Sequence, residues 1–491
     1  MSRARRVAAL VGLLLSAPGA ASAGGLWFSD RGVRPMGRGG AFVAGADDLG
    51  AVWYNPAGIT DASNTLLFDA TWLRFSNEYT RELYIRDADN VVKRVPSTTV
   101  QGSSPILPLP TMMASYGLLD GKLTIAGGVF APSVALASYD KKTPDGQPSP
   151  ARYTLGSFDG STLALPGVWI AGKPLDWLQL GAGVHALMGT FVSQITFSAA
   201  PQDRLLSAPE DPDFDASSEM RVGPIFAPTA NFGAIVTPDP HVRIGAAYQL
   251  PTKISSDATI KVRLPSSAVF DGAAVVGDKA HVSFTLPDIF RVGVEGRFDA
   301  VRVEVAYARE FWSKHDEIVA EPTGIEFRGI TGGPEKVNLP VIRIPRKFRD
   351  ASSYRLGGEV TFDVKGYKLG ARAGIAYEQS AVPPEYLSLS SLDFDKTTLA
   401  VGGSLYIGKR WRFDGVIGHI FAAEANVQPE EAKIGRINPL QKNAPFESVN
   451  GGRYRARADL LGIGLQYDFG AAEERRPAPP PPPKGRQPGE D

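Results

Sequence analysis

Reactive chemistry needs a nucleophile, a base or a metal-ligand set within reach of one another. The five histidines, His185, His241, His281, His315 and His419, fall in five separate segments. None stands in an H-E-x-x-H or other metal-ligand spacing. Cysteine is absent, which removes thiol chemistry, cysteine zinc sites and a disulfide framework. Neither a P-loop nor a G-x-S-x-G nucleophile turn occurs. The residue types therefore predict no catalytic site, no metal and no cofactor, and the function expected is binding or passage. Lys plus Arg and Asp plus Glu each count 52, a balance that supports no nucleic-acid partner. With 53 Gly and 39 Pro the chain carries too many breakers for a mainly helical protein. Its 43% apolar content sets it apart from a disordered chain.

The elements that position any site begin after an export signal. Arg3, Arg5 and Arg6 form a basic head, Val7 to Ala17 an apolar body, and Ala21-Ser22-Ala23 a small-x-small exit. Eleven apolar residues are too few to span roughly 30 Å of hydrocarbon at about 1.5 Å per residue. Residues 1–23 are thus predicted to be cleaved, leaving 49 basic and 52 acidic residues. No later stretch has 18 consecutive apolar residues, so a membrane-bound form would have to cross with strands.

From residue 64 onward the apolar residues recur with period two. Val301, Val303, Val305 and Tyr307 share one face; Arg302, Glu304, Ala306 and Ala308 share the other. The same alternation runs through residues 242–250, 289–298, 354–362 and 461–469. Six short turns are predicted at Asp120-Gly121, Pro174 to Asp176, Pro238 to Pro240, Asp299-Ala300, Lys365-Gly366 and Lys409-Arg410. Between them lie longer polar connections at 78–108, 135–161, 199–223, 264–278, 313–350, 380–396 and 425–452. The predicted strands are 64–77, 109–119, 122–134, 162–173, 177–198, 224–237, 241–263, 279–298, 301–312, 351–364, 367–379, 397–408, 411–424 and 453–469. Short turns at one end and long loops at the other describe an all-β, 14-stranded antiparallel transmembrane β-barrel. Aromatic residues near strand ends, such as Phe298, Tyr367, Trp411 and Phe469, suit the two interfaces. A soluble sandwich would also alternate; the regular order of turns and loops favours the barrel.

Residues 24–63 read differently. They are glycine-rich, weakly alternating and too apolar for a free tail. Their expected place is inside the barrel, as a plug. They contain Gly37-Arg38-Gly39-Gly40, then Asp47-Asp48, then Asn55-Pro56-Ala57. In this order and spacing the segment resembles the N-terminal hatch of the FadL/TodX family of outer-membrane transporters of long-chain fatty acids and aromatic hydrocarbons. The resemblance extends to Phe469 in strand count and in the closing strand.

The resemblance implies passive uptake of hydrophobic molecules, foremost long-chain fatty acids. Ligand would be captured in an apolar groove among the outer loops. It would pass to an inner pocket near the N-terminus and leave sideways through the wall at a kinked third strand. Trp27 and Phe28 either line that pocket or pack the hatch. Ile106, Leu107 and Leu109 either form part of the groove or begin the second strand. Gly127, Gly128 and Pro132 either kink the third strand or act as spacers. Asn55-Pro56 has a plain reading as a turn. Lumen-side charges, among them Arg243, Arg291, Glu295, Arg302, Glu304 and Arg355, carry both signs. They either pair with one another and the hatch or meet a ligand carboxylate. The expected domains are a signal (1–23), a hatch (24–63), a barrel (64–470) and a Pro-rich periplasmic tail (471–491). The expected setting is the outer membrane of a Gram-negative cell, as a monomer in contact with lipid, lipopolysaccharide and the barrel assembly machinery. The rivals are aromatic-hydrocarbon uptake, a general porin and an adhesin.

Overall fold

The computed structural model describes residues 30–470, apart from 87, 88, 90, 105–107, 133–136, 201–210, 423 and 442–445. The export signal, Trp27, Phe28, Ile106, Leu107 and the tail 471–491 lie outside the described residues.

Fourteen antiparallel strands close into one barrel. They are β1 Thr65–Arg86, β2 Leu109–Leu118, β3 Leu123–Phe130, β4 Thr162–Leu175, β5 Leu178–Ser198 and β6 Asp215–Asp239. Then come β7, in two runs Val242–Gln249 and Thr252–Arg263, and β8, in two runs Lys279–Leu286 and Ile289–Phe298. The rest are β9 Val301–Glu310, β10 Ala351–Val364, β11 Tyr367–Glu378, β12 Lys396–Ile407, β13 Trp411–Ala422 and β14 Gly452–Asp468. Each pairs with its neighbours in chain order, and β14 pairs with β1 from Thr65↔Asp468 to Arg81↔Gly452. That last ladder leaves no free edge. All six predicted short turns are where the chain reverses. Asp120, Gly121, Lys365 and Gly366 take the positive φ that two-residue hairpins demand.

Four expectations need correction. The first strand runs to Arg86, not 77, because β1 stays paired with β14 as far as Arg81, and residues 82–86 then pair with Val92–Pro96; Asn77, Glu78 and Arg81 interrupt the apolar pattern without interrupting the ladder. The third strand stops at Phe130, since Pro132 has no N–H to extend it. The sixth strand begins at Asp215, not 224, because residues 215–222 continue the ladder with residues 191–198. The long connections are also built. Ala274–Val276, Glu326–Arg328 and Lys336–Asn338 form a small sheet over Phe270, Phe327 and Leu339, and Glu317–Thr323 extends the wall beside β8.

The outward face near the short turns is apolar. Val294, Val303, Leu356, Ile417 and Ile463 all stand exposed there. Further up, the alternation changes phase. In the first run of β7, Ile244, Tyr248 and Leu250 are exposed while Arg243, Ala247 and Gln249 are buried. In the second run, Thr252, Ile254, Ser256 and Ile260 are buried while Lys253, Ser255 and Asp257 are exposed. β8 does the same across Pro287-Asp288. Gln249 faces Ile289 below the break and Thr252 faces Leu286 above it. Each strand therefore carries one extra residue at the same level, which preserves register and inverts the faces. Below the break the barrel is apolar outside and charged inside. Above it the barrel is charged outside and apolar inside.

Candidate functional site

Residues 31–60 are buried apart from Asp47 and pack against inward-facing side chains of the wall. Two short helices, α1 Val33–Gly37 and α2 Ala51–Tyr54, are joined by irregular backbone that brings polar groups to the wall. The Arg38 side chain is fully buried and donates to Glu295 Oε2 at 2.7 Å and Glu304 Oε2 at 3.2 Å. Glu304 also accepts the backbone N–H groups of Val43 (2.6 Å), Ala44 (2.9 Å) and Gly45 (2.9 Å). Asp47 pairs with Arg34 and, at 2.6 Å, with Arg302. Burial opposes its charge, yet Arg302 and then Arg34 hold the Asp47 carboxyl well below the usual carboxylate range. Asp48 takes Arg412 at 2.8 Å, and Arg34 also reaches Glu359 at 2.9 Å. Asp30 pairs with Arg355. Charges buried this deeply are tolerable only when paired. Gly39 meets a wall backbone nitrogen: a Cβ there would lie 2.8 Å from Ile375 N, and its φ is +61°. The small residues of the motif thus bring this backbone against the wall.

Asn55-Pro56-Ala57 is a structural turn. Asn55 Oδ1 caps the 3-10 turn Pro56–Asp61 by accepting Ala57 N–H, and its amide donates to the Val43 and Ala234 carbonyls. Leu109 begins β2 opposite Thr71. Gly127 and Gly128 sit in unbroken ladders on both edges, facing Ala114 and Met113 on one side and Val168 and Gly167 on the other. The interruption comes instead at Phe130 to Pro132. There Arg31 Nη1 donates to the Ala131 carbonyl at 3.0 Å. Phe130 meets Trp53 edge-on, with ring centroids 5.6 Å apart. The guanidiniums of Arg31 and Arg291 lie 4.0 and 5.2 Å from the Trp53 ring centroid. Burial pulls the Arg31 guanidinium down to about 9.

Above this level, where the faces are inverted, lies a cavity of about 470 Å³. Leu187 and Phe191 of β5, Met220 of β6, Ile260 of β7 and Phe284 of β8 line it. Its volume falls in the range of small-molecule sites, and its walls are mostly hydrocarbon. Sequence reasoning placed the capture groove near residues 106–109. The described lining comes from the upper halves of β5 to β8, from the connections after β3, β9, β11 and β13, and from Phe75 of β1 and Leu163 of β4. The apolar residues keep to even numbers on both sides of Pro251 and Pro287, so the sequence showed no change there and a single strand span was drawn across each; only the burial pattern changes phase.

These features have known counterparts. The family model described as outer membrane protein transport protein (OMPP1/FadL/TodX) matches residues 14–469. A solved FadL homologue of Pseudomonas aeruginosa superposes with a TM-score of 0.68 at 14% identity, covering 91% of this chain and 100% of its own. The toluene transporter TbuX of Ralstonia pickettii gives 0.55 at 18% identity, covering 89% and 99%. The toluene transporter TodX of P. putida gives 0.59 at 14% identity, covering 90% and 100%. At these identities the structural likeness shows the fold. A search of the curated proteins finds no match. On the family model, the chain belongs to the OMPP1/FadL/TodX family and is an outer-membrane transport protein.

Proposed function

We propose that this outer-membrane transporter takes up hydrophobic molecules passively, with long-chain fatty acids as its substrates. The observation that carries the reading is the order of layers along the barrel axis. An apolar chamber opens among the outer loops, and beneath it the lumen is filled by residues 30–62 and their ion pairs. Apolar surface gains roughly 25 cal/mol per Å² on leaving water, so the chamber draws a greasy ligand in. The charged layer below offers that ligand nothing and opposes free diffusion of polar solutes. In this reading residues 1–23 direct export, residues 24–63 plug a barrel spanning 64–470, and 471–491 extend into the periplasm. Ligand leaves sideways into the membrane where β3 ends, beside Phe130 and Pro132. The protein works as a monomer, inserted by the barrel assembly machinery and surrounded by lipid and lipopolysaccharide.

Two of the similar solved structures are toluene transporters. That supports aromatic hydrocarbons as a second reading by the same route. The test is uptake of labelled palmitate by Gram-negative cells lacking their own fatty-acid porter, with a heat-modifiable gel shift as folding control. Uptake above empty vector is expected. Folded protein without palmitate uptake, but with toluene uptake, would move the assignment to the second reading.

A further inference from the structure

Among the described residues, the outer chamber holds one buried cation for which no ion pair is formed. Arg346, in the loop after β9, is 4% exposed and lines the cavity. Among the described residues it forms no ion pair. Its Nη1 donates to Ser390 Oγ at 3.2 Å, and its Nε has no hydrogen-bond partner. The other arginines lining the chamber are neutralised: Arg343 pairs with Glu317 at 2.5 Å and Arg436 pairs with Glu447. Ser388 and Ser391 lie beside Ser390, with hydroxyl contacts of 3.1 and 2.9 Å to Ser388. Elsewhere the chamber lining is mostly hydrocarbon, with Tyr153, Thr154, Ser193, Ser218 and the exposed Lys433 among it.

A guanidinium withdrawn from water without a counter-ion is costly. Burial pulls Arg346 down to about 10, which still leaves it charged at neutral pH. A neutral hydrocarbon would leave that cost standing. A carboxylate would remove it, since it accepts two N–H groups of a guanidinium at once. Serine hydroxyls supply further donors. The arrangement therefore has a polar corner for one anionic head and an apolar wall for its tail.

We propose that Arg346, with Ser390, anchors the carboxylate of a long-chain monocarboxylic acid in the outer chamber, so that the transporter selects acids over neutral molecules of the same length. This rests on the uptake reading above and names its substrate chemistry. Hydrogen bonds to charged groups are typically worth enough to predict roughly ten- to a hundredfold selectivity.

The test measures binding of tritiated palmitate and tritiated methyl palmitate to the full chain in nanodiscs, with empty nanodiscs as background. The wild type is expected to prefer the acid by at least tenfold. Arg346→Gln is expected to bring the acid down to the ester, leaving the ester unchanged. Arg346→Lys keeps the charge but not the fork, and is expected to fall between. Ser390→Ala, which leaves the arginine in place, is expected to weaken the acid several-fold alone and carries the test if R346Q does not fold. Equal binding of acid and ester by the wild type, or an acid preference untouched in R346Q, would overturn the anchor while leaving the uptake reading intact. Binding of neither ligand by folded wild type would remove the uptake reading itself.

Discussion

Glu304 offers the sharpest test of the plug. Its fully buried carboxylate holds four donors: the N–H groups of Val43, Ala44 and Gly45, and Arg38 Nη2. Glu304→Gln keeps the shape and removes the charge. It also turns one oxygen into an NH₂, so at least one donor must face another donor. Removing one partner of a buried ion pair costs about 3–5 kcal/mol. Arg38 keeps Glu295 at 2.7 Å, which places the variant near the lower end, at about 3 kcal/mol. Every 1.4 kcal/mol is tenfold, so the open fraction of the segment should rise by roughly a hundredfold. The assay is single-channel recording in planar bilayers, after a gel shift confirms a folded barrel. Rare openings in the wild type should become frequent in E304Q, with little change in the conductance of each opening. A folded E304Q with the wild-type opening frequency would refute the reasoning. Either this cluster does not hold the segment, or the segment does not close the lumen.

The phase change in β8 predicts that one substitution has two outcomes on one strand. Val294→Arg, on the lipid-facing run, should destabilise the barrel by about 2–4 kcal/mol in vesicle unfolding titrations, whereas Ser283→Arg, above the break, should stay within about 0.5 kcal/mol. Asn55→Ala removes a cap and two donors to carbonyls, and should lower protection of residues 43–60 in hydrogen exchange by about 1–3 kcal/mol. His315 is held by burial, and next by Arg346, at about 3. Its folded value lies below its unfolded one, so its stabilisation is full above about pH 6.5 and is lost as pH falls toward 3. At pH 5 that is about 2 kcal/mol, read as faster proteolysis of the loop 311–350, and His315→Leu should flatten the profile.

Much of the wall was legible because two physical rules repeat along it. The lipid face must be apolar, which gives Val301, Val303 and Val305 their spacing. The turns must reverse tightly, which puts positive φ at Asp120, Asp299 and Lys365. Residues 37–57 stood out in the sequence as a glycine-rich unit distinct from the wall, and Asn55-Pro56 reads as a turn in both sequence and structure. The chamber was not. Its lining residues lie on strands and loops far apart in sequence, and only closure of the barrel brings Phe191, Ile260 and Phe284 together. Arg346 carried no sequence signal either. What marks it is the lack of an acidic partner among the described residues, and a single sequence cannot display an absence of that kind.

The inverted upper wall also constrains the route. Below Pro251 and Pro287 the inward residues include the wall charges, of which Glu295, Arg302, Glu304, Glu359 and Arg412 are set against residues 34–48 by ion pairs. A fatty-acid tail pushed along the axis would forfeit about 0.8 kcal/mol for each methylene leaving an apolar wall. It would also separate pairs whose partners cannot be replaced by hydrocarbon. A sideways step near β3 asks for neither. Past Phe130 the β3 ladder has already ended, the ring of Trp53 continues the apolar surface inward, and the membrane lies on the other side of the wall. The hydrogen bond from Arg31 to the Ala131 carbonyl ties the inner segment to that point. In the proposed route, a ligand arriving at Trp53 would therefore meet the closed lumen and the strand end together, and only the strand end leads to a phase in which it dissolves.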